Sequence, residues 1–263
     1  MADAAEGGTR PGRLAGKTAI VTGASEGIAE AIARVLAREG ASVGVVSRDI
    51  ARCKRVTADI EAAGGTALAL QADVTQTAQV QAMVQSVLDK WGSVDILVNG
   101  VGGFVGKAPI DEITEEQWDS VMTLNMKTAF LCAQSVVRPM KKKGGGRIIN
   151  IGSIAANGPN PHSDSFLPYG AAKAGVIGFT KHLAKQLGPY GITVNAVSPG
   201  TTITERVKKN RDAAALERTK SQNALRALVE CDDTANAVLY LASDEARHVT
   251  GVNLNVNAGG QIV

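Results

Sequence analysis

The segment TAIVTGASEGIAEAIARVL, residues 18–36, decides the fold of this chain. It begins with a short apolar run, residues 18–22, which is typical of a buried strand. A glycine-rich turn follows, and beyond it Ile28, Ile32 and Leu36 recur at the spacing of one helix face. A strand, a tight glycine turn and a helix in direct succession are the context in which a glycine motif can bind a nucleotide diphosphate.

Within this turn the two glycines have different tasks. Gly23 permits the sharp change of direction, and Gly27 lets the backbone approach a diphosphate at the helix N-terminus. Ser25 and Ile28 belong to the same candidate site. Taken alone, the segment could also be an ordinary strand–helix turn that binds nothing.

The rest of the chain repeats the same alternation. Short apolar runs are separated by helical patterns, which predicts βαβ units and therefore a Rossmann-type, doubly wound parallel α/β sheet in a single domain. The seven predicted strands are 18–22, 42–47, 67–71, 94–99, 147–151, 193–197 and 253–256, and the longest helical patterns are 114–142 and 168–187.

Composition excludes several classes of function. Of the 263 residues, 44% are hydrophobic and only 3% aromatic, as a sheet covered by helices on both faces requires. The net charge of +3 is too small to indicate nucleic-acid binding, and no apolar stretch approaches the ~18 residues of a membrane span. Residues 1–13 carry no apolar signal segment and are predicted to be a disordered tail before a domain spanning 14–263.

The cysteines and histidines suggest no metal or disulfide chemistry. Cys53, Cys132 and Cys231 are odd in number and widely spaced, which indicates unpaired thiols and a cytoplasmic location. The three histidines lack metal-ligand spacing, so no metal site is predicted. His162 could touch a substrate, although a surface loop is its simpler interpretation.

Tyr169 and Lys173 are the candidate catalytic pair. Four residues apart on a helix, they lie on one face. A free tyrosine titrates near ~10, and a neighbouring ammonium is expected to lower that pKa toward the working range of a general acid or base. Ser153 follows a predicted strand upstream of the tyrosine. Each residue also has a structural explanation, such as capping or packing.

These motifs occur together in an order that resembles the short-chain dehydrogenase/reductase family. The resemblance covers roughly residues 14–260, and its motifs are specific for the family but weakly specific for substrate. It rests on the Thr22-Gly23-x-x-x-Gly27 turn, Asp73-Val74, Asn99, Asn125, Ser153, Tyr169-x-x-x-Lys173 and Ser198-Pro199-Gly200.

The resemblance implies a role for each catalytic residue. Tyr169 would exchange a proton with a carbonyl or alcohol oxygen, and Ser153 would hydrogen-bond the same oxygen. Lys173 would lower the tyrosine pKa and bind the nicotinamide ribose, and Asn125 would position Lys173 through a water. Tyr169 and Lys173 are therefore also expected to contact the cofactor.

The resemblance also implies the rest of the cofactor site. Asp73 and Val74 would contact adenine, and Asn99 would stabilise the sheet edge beside the cofactor. The nicotinamide end would be lined by Pro199, Gly200 and Thr204.

Three departures from the family pattern stand out. Ala29 occupies the place of a third glycine, and Gly100 follows Asn99 where the family usually has a second asparagine. Ser153 and Tyr169 lie 16 residues apart, slightly more than is usual. The extra length falls in the proline-containing stretch 157–168, which is expected to bulge as a loop without displacing the pair.

Position 47 and its neighbours bear on the choice of nicotinamide cofactor. An acidic residue at the end of the second strand would bind the ribose hydroxyls and repel a 2′-phosphate. Here the chain has Ser47 and Arg48, which suit a phosphate. Glu26 in the glycine turn and Asp49 argue in the opposite direction. NADP(H) is the predicted cofactor.

The predicted function is an NADP(H)-dependent interconversion of a ketone and a secondary alcohol, and the family activity that the pattern resembles best is a 3-oxoacyl-thioester reductase. The segment 205–226 carries seven Lys/Arg and three Asp/Glu and could form a substrate loop near 201–226 that attracts anionic thioesters. The alternatives are an NAD-dependent catabolic alcohol dehydrogenase and a non-catalytic NADP(H) sensor. An enoyl reductase would usually space tyrosine and lysine more widely. The resemblance further implies a homotetramer or homodimer, with residues 253–263 at the interface.

Overall fold

In the computed structural model of the protein, which describes residues 12–104, 106, 108–158 and 166–263, the chain builds a parallel seven-stranded sheet. A separate two-stranded ribbon pairs β7 with β8. The strands are β1 Thr18–Thr22, β2 Ser42–Ser47, β3 Thr66–Gln71, β4 Ile96–Asn99, β5 Gly146–Ile151, β6 Ile192–Pro199, β7 Thr202–Ile203, β8 Val229–Glu230 and β9 Asn253–Val256. The order in the large sheet is β3-β2-β1-β4-β5-β6-β9.

Helices connect the strands and cover both faces of the sheet. They are α1 Gly27–Arg38, α2 Ile50–Ala62, α3 Thr77–Trp91, α4 Glu115–Met122, α5 Thr128–Lys143, α6 Leu167–Leu187, α7 Glu205–Asn210, α8 Ala213–Gln222 and α9 Cys231–Ala242. Within the described parts of the chain, we find no helix that combines the length and the apolar character needed to cross a membrane.

Strand alternation divides the core into two layers. In β1, Ala19 and Val21 pack with α1, α2 and α9, whereas Ile20 between them packs with α3, α5 and α6 on the opposite face. Every β1 side chain is buried, as expected for a parallel strand covered on both sides. Burial of one large aliphatic side chain contributes about 1.5–3 kcal/mol, so Ile32 and Leu36 hold α1 firmly on the sheet.

The strand order reverses between β1 and β4, which places a crevice at their carboxyl ends. From β1 the chain proceeds outward to β2 and β3, and then returns to pair β4 on the other side of β1. Open α/β sheets bind ligands at this switch point. The glycine turn follows β1 and Asn99 ends β4, so both candidate motifs border the crevice.

The predicted fold class is confirmed, and the predicted strands all occur with small shifts in their bounds. β6 is longer than the predicted 193–197, at Ile192–Pro199, and β4 begins at Ile96 and not at residue 94. The reason is Asp95, whose carboxylate accepts a hydrogen bond from the Thr18 amide at 2.9 Å and binds Lys143. The short strands β7, inside the predicted substrate loop 201–226, and β8, just after it, had no sequence signal.

The predicted tail and the start of the domain differ slightly from the structure. Residues 1–11 lie outside the described residues. Arg13 pairs with Glu245, and its amide donates to the Glu39 carboxylate at 3.1 Å. Ordered contacts therefore begin before residue 14.

The long helical pattern 114–142 is a helix with a π turn in its middle. Residues Thr123–Lys127 form this π segment between α4 and α5. A π turn adds one residue to a helix and frequently occurs at functional sites. Here it contains Asn125, whose side chain is buried.

Candidate active site

The glycine turn forms a cradle for a diphosphate. Gly23 and Gly27 have φ angles of +72° and +62°, which only glycine adopts readily. A Cβ on Gly23 would also lie 3.2 Å from the Gly100 backbone. The Glu26 side chain does not cap α1, so the amides of the first helical turn remain available to an anion. The turn therefore fits the diphosphate of a nicotinamide dinucleotide.

The end of β2 provides the adjoining adenosine region. The Ser47 hydroxyl is bonded to the Asp49 backbone at 3.1 Å, and the Arg48 side chain is exposed beside it. Asp73 accepts hydrogen bonds from the Thr75 amide and hydroxyl, which together with the nearby Arg48 charge hold its pKa below the usual value. Val74 is buried next to it.

Glu26 and Asp49, whose carboxylates would repel a 2′-phosphate, share one ion-pair partner. Arg52 of α2 binds Glu26 at 2.7 Å and Asp49 at 3.2 Å. Asp49 also caps α2 through the amides of residues 51 and 52. One guanidinium thus offsets part of the negative charge of these two carboxylates.

Asn99 joins two strands below the crevice. Its amide donates to the Asn150 side chain of β5 at 2.8 Å, and Asn150 in turn donates to Thr180 of α6 at 2.9 Å. All three residues are buried. This chain of hydrogen bonds fixes the carboxyl ends of β4 and β5 against α6.

Asn125 faces Lys173 across a glycine. The Asn125 side chain exchanges two hydrogen bonds with the Gly103 backbone, at 3.0 and 2.8 Å. A Cβ on Gly102 would lie 2.7 Å from Asn125 Oδ1 and 2.9 Å from Lys173 Nζ. Any larger residue at 102 would therefore separate the two side chains.

Lys173 is a buried ammonium with one protein partner among the described residues. Its Nζ donates to the Ile151 carbonyl at 2.7 Å, and the residue is only 3% exposed. Burial lowers the pKa of Lys173 to about 8, because the charged form loses its hydration. At neutral pH it still carries most of its charge.

Ser153 lies directly beside Tyr169 despite their separation in sequence. Ser153 caps a short 3-10 turn, Ile154–Asn157, where its oxygen accepts from the Ala155 amide at 3.2 Å. The first turn of α6 packs on this turn, since a Cβ on Gly170 would lie 3.4 Å from the Ala155 carbonyl oxygen. The Ser153 hydroxyl also hydrogen-bonds the Tyr169 phenol, so the two groups lie at one point of the crevice.

The pKa of Tyr169 moves upward, opposite to the direction expected from sequence. Burial raises it, and the Ser153 hydroxyl and the Arg206 charge lower it to a lesser extent. Lys173 Nζ lies 5.7 Å from the centre of the tyrosine ring and points to the Ile151 carbonyl. The phenol is therefore protonated at neutral pH in the structure.

An apolar wall surrounds the tyrosine. The Phe104 ring packs against Tyr169 with centroids 5.0 Å apart, and Phe166 packs behind it at 5.7 Å from Phe104. Val121 and Ala172 are buried in the same apolar cluster, which is separate from the two core layers of the sheet. A substrate carbon chain placed against this wall would lose water on that side.

The end of β6 closes the crevice near the glycine turn. Gly200 donates to the Val256 carbonyl at 2.9 Å, directly after Pro199 ends the strand. Thr204 caps α7, and its methyl lies 3.4 Å from the position of a Cβ on Gly27. The predicted nicotinamide end and diphosphate end are thus adjacent.

Ala29 and Gly100, two of the departures from the family pattern, lie close together and are sterically complementary. A Cβ on Gly100 would lie 2.9 Å from the Ala29 methyl and would overlap the Thr22 carbonyl oxygen. The Ala29 methyl therefore occupies the space that a side chain at position 100 would need. Gly100 keeps its own contact, a hydrogen bond from its amide to the Thr22 hydroxyl at 3.1 Å.

We expect Gly100→Ala to lower the free energy of unfolding by about 1–3 kcal/mol, because the added methyl overpacks this contact. The loss should be smaller when Ala29→Gly is present, although the clash with Thr22 remains. Chemical denaturation of both single variants and the double variant measures the coupling. Gly178→Ala is the matched control, since a Cβ there meets nothing within 4 Å. If the changes in unfolding free energy of the two single variants add up fully in the double variant, the proposed contact between positions 29 and 100 is contradicted.

Several site residues had no clear sequence signal. They are Gly102, Phe104, Asn150, Thr180 and Arg206. Asn150 offered a clue as a polar residue inside an apolar run, and Arg206 lay in the basic segment 205–226. His162 and most of the loop 157–168 cannot be assessed, because residues 159–165 lie outside the described residues.

Known proteins share this fold and motif order. A family model described as enoyl-(acyl carrier protein) reductase matches residues 23–261. The 3-oxoacyl-[acyl-carrier-protein] reductase FabG of Staphylococcus epidermidis is 39% identical over 246 residues, which are 92% of this chain and 98% of that protein. A dehydrogenase/reductase structure from Sinorhizobium meliloti 1021 is 38% identical with a TM-score of 0.86, and covers 95% of this chain and 96% of its own.

A further similar structure is a 7α-hydroxysteroid dehydrogenase in complex with NADH and 7-oxo glycochenodeoxycholic acid. It is 34% identical with a TM-score of 0.89, and the match covers 94% of this chain and 95% of that one. Fold, site and relatives together define an NAD(P)-dependent oxidoreductase acting on CH–OH groups. The chain belongs to the short-chain dehydrogenase/reductase family.

Proposed function

We propose that the protein reduces a ketone to a secondary alcohol with NADPH, and that Tyr169 is its general acid. One observation carries this proposal: Ser153, Tyr169 and Lys173 meet at the carboxyl edge of the sheet, beside an uncapped glycine turn. The raised pKa of Tyr169 keeps the phenol protonated at neutral pH, which is the form that a general acid needs.

The residues would divide the work as follows. Ser153 donates a hydrogen bond to the carbonyl oxygen and stabilises its developing negative charge. Tyr169 gives its proton to the same oxygen. Lys173 then supplies positive charge beside the resulting phenolate, and Asn125 would position Lys173 through a water. A bound nicotinamide supplies the hydride, and the protein supplies orientation and proton transfer.

A 3-oxoacyl thioester is the proposed substrate class. It is supported by the relative named 3-oxoacyl-[acyl-carrier-protein] reductase, whose length is matched almost completely. The apolar wall of Phe104 and Phe166 suits an acyl chain. An enoyl reductase, the description of the matching family model, is the second candidate. The four-residue spacing of Tyr169 and Lys173 on α6 favours the ketone over the enoyl substrate.

A panel assay tests the function. Absorbance of NADPH is followed while the protein meets acetoacetyl thioesters, small ketones and enoyl thioesters. Oxidation with the 3-oxo compounds and none with the enoyl compounds is the expected result. Activity with enoyl thioesters alone would favour the second candidate. Tight NADPH binding without turnover in either direction would favour a sensor.

NADPH is the proposed cofactor because of the charges around the adenosine region. Arg48 is exposed at the end of β2, where a 2′-phosphate would lie, and belongs to no ion pair among the described residues. Glu26 and Asp49 would repel such a phosphate, but both are held by Arg52. Arg48 therefore lies beside the ribose without an ion pair among the described residues, and Arg52 offsets part of the opposing negative charge.

We expect Arg48→Ala to weaken NADPH binding by about 10- to 100-fold and to leave NADH binding within threefold, because only NADPH offers a phosphate to the guanidinium. Dissociation constants from NADPH and NADH fluorescence measure this without turnover. Lys54→Ala is the control, since it removes one exposed charge from α2. Equal losses for both cofactors, or none, would contradict the NADPH assignment.

The oligomeric state and location are also proposals. Ile262 and Val263 at the C-terminus are strongly exposed, as is half of Phe130 on α5, and such apolar surface supports a homodimer or homotetramer. Sedimentation at the mass of one chain would contradict this. The three cysteines are free thiols, which supports a cytoplasmic location.

A further inference from the structure

Arg206 crosses the mouth of the active site. It lies on α7, two residues after Thr204, and its side chain reaches the loop that follows β4. Its Nη2 donates to the Phe104 carbonyl at 3.4 Å, and its Nη1 lies 3.4 Å from the position of a Cβ on Gly103. The guanidinium therefore rests on the backbone that also holds Asn125.

The charge of Arg206 acts on the reacting group. It is one of two influences that lower the pKa of Tyr169 against the effect of burial. The Phe104 residue that receives its hydrogen bond also packs on the tyrosine ring. The Arg206 cation therefore lies next to the apolar wall that Phe104 and Phe166 form.

Among the described residues, few groups bind the Arg206 guanidinium. The adjacent Glu205 pairs with Lys208 at 3.0 Å and is not bonded to Arg206. Across the described residues, Arg206 enters no ion pair, and its single hydrogen bond is long and directed to a carbonyl. A guanidinium has five N–H donors, so most of them remain open to a ligand.

We propose that Arg206 binds an anionic group of the substrate, a carboxylate or a phosphate, and so selects ketones that carry negative charge. This inference rests on the proposed reductase function and names the chemistry of its substrate. The planar guanidinium can hold either oxyanion with two parallel hydrogen bonds. Arg206 is exposed, so the strength of the contact would come from its two parallel, charge-assisted hydrogen bonds and not from burial.

The test compares matched charged and neutral ketones. One pair is acetoacetate and ethyl acetoacetate, and the other is acetoacetyl-CoA and acetoacetyl-N-acetylcysteamine. For each pair the ratio of kcat/KM, charged over neutral, is measured in the wild type, Arg206→Gln and Arg206→Lys. We expect Arg206→Gln to lower at least one ratio by about 10- to 100-fold, with Arg206→Lys between the two.

The two pairs distinguish the source of the anion. A change confined to acetoacetate identifies a carboxylate on a small ketone, and a change confined to the CoA thioester identifies its phosphates. Lys209→Gln removes an exposed charge from the same helix and should leave both ratios unchanged. Unchanged ratios in Arg206→Gln would overturn the proposal.

Two further results keep this proposal separate from the proposed function. A tenfold rise in the Kd for NADP⁺ in Arg206→Gln, with both ratios unchanged, would assign the arginine to the cofactor diphosphate and overturn the proposal. If no ketone turns over, calorimetry instead measures the binding of acetoacetate and acetoacetyl-CoA to the NADP⁺-loaded protein. Tenfold weaker binding of either to Arg206→Gln supports the proposal, and equal binding of both overturns it.

Discussion

Tyr169→Phe should lower kcat by about 10²- to 10⁴-fold, the usual contribution of a positioned general acid. The variant keeps the ring that packs against Phe104, so the fold and the NADPH dissociation constant should stay unchanged. Steady-state kinetics and NADPH fluorescence measure the two quantities separately. Tyr190→Phe is the matched control, because Tyr190 is half exposed at the far end of α6. Turnover within threefold of the wild type would exclude Tyr169 as the acid.

The raised pKa of Tyr169 predicts that ketone reduction and alcohol oxidation depend differently on pH. A phenol whose pKa lies above its usual value near 10 keeps its proton throughout the neutral range. Ketone reduction should therefore vary little between about pH 6 and 7.5, whereas alcohol oxidation, which needs the phenolate, should rise with pH. Parallel profiles in both directions would contradict this.

Lys173→Met should reduce activity by at least about 100-fold and at the same time stabilise the protein. The pKa of Lys173 is about 8 in the folded chain and near 10.5 in an unfolded one. The difference corresponds to roughly 3 kcal/mol that folding loses at pH 7 by burying this charge. Methionine avoids the loss but leaves the Ile151 carbonyl unpaired, so a net gain of about 1–2 kcal/mol is expected.

The sign of the pH dependence follows from proton binding. Between pH 8 and 10.5 the unfolded chain holds more protons than the folded chain at this residue, so wild-type stability gains a contribution as pH rises through that window. Lys173→Met should lack that contribution. Urea midpoints at pH 7, 8, 9 and 10 measure it, with Lys181→Met, an exposed lysine on the same helix, as control. Identical pH slopes in wild type and Lys173→Met would contradict the buried charge.

The sequence pattern predicted the sheet well because each strand is buried on both faces. A strand such as β1 is a continuous apolar run, and the glycine turn marks where it ends. The start of β4 was less predictable, since the Asp95 side chain binds a backbone amide 77 residues away. The π turn at residues 123–127 was not predictable either, because one extra residue hardly disturbs helical periodicity.

The motifs located the catalytic residues but not their electrostatics. Spacing alone suggested that Lys173 lowers the pKa of Tyr169. The opposite direction arises from burial, to which Phe104 contributes from the loop after β4. Arg206 was likewise noticed only as part of a basic segment. Its position beside the tyrosine depends on the path of the chain between β6 and α7, which local sequence does not encode.

The fit between Ala29 and Gly100 also constrains how such a pair can evolve. Starting from the family pattern named above, with glycine at 29 and asparagine at 100, the present pair can be built by two orders of substitution. If alanine came first, its methyl would meet the existing side chain at 100. If glycine at 100 came first, the intermediate would hold only a small void. The second order is the accessible one, and replacing position 100 alone by the family's usual residue should be unfavourable in this protein.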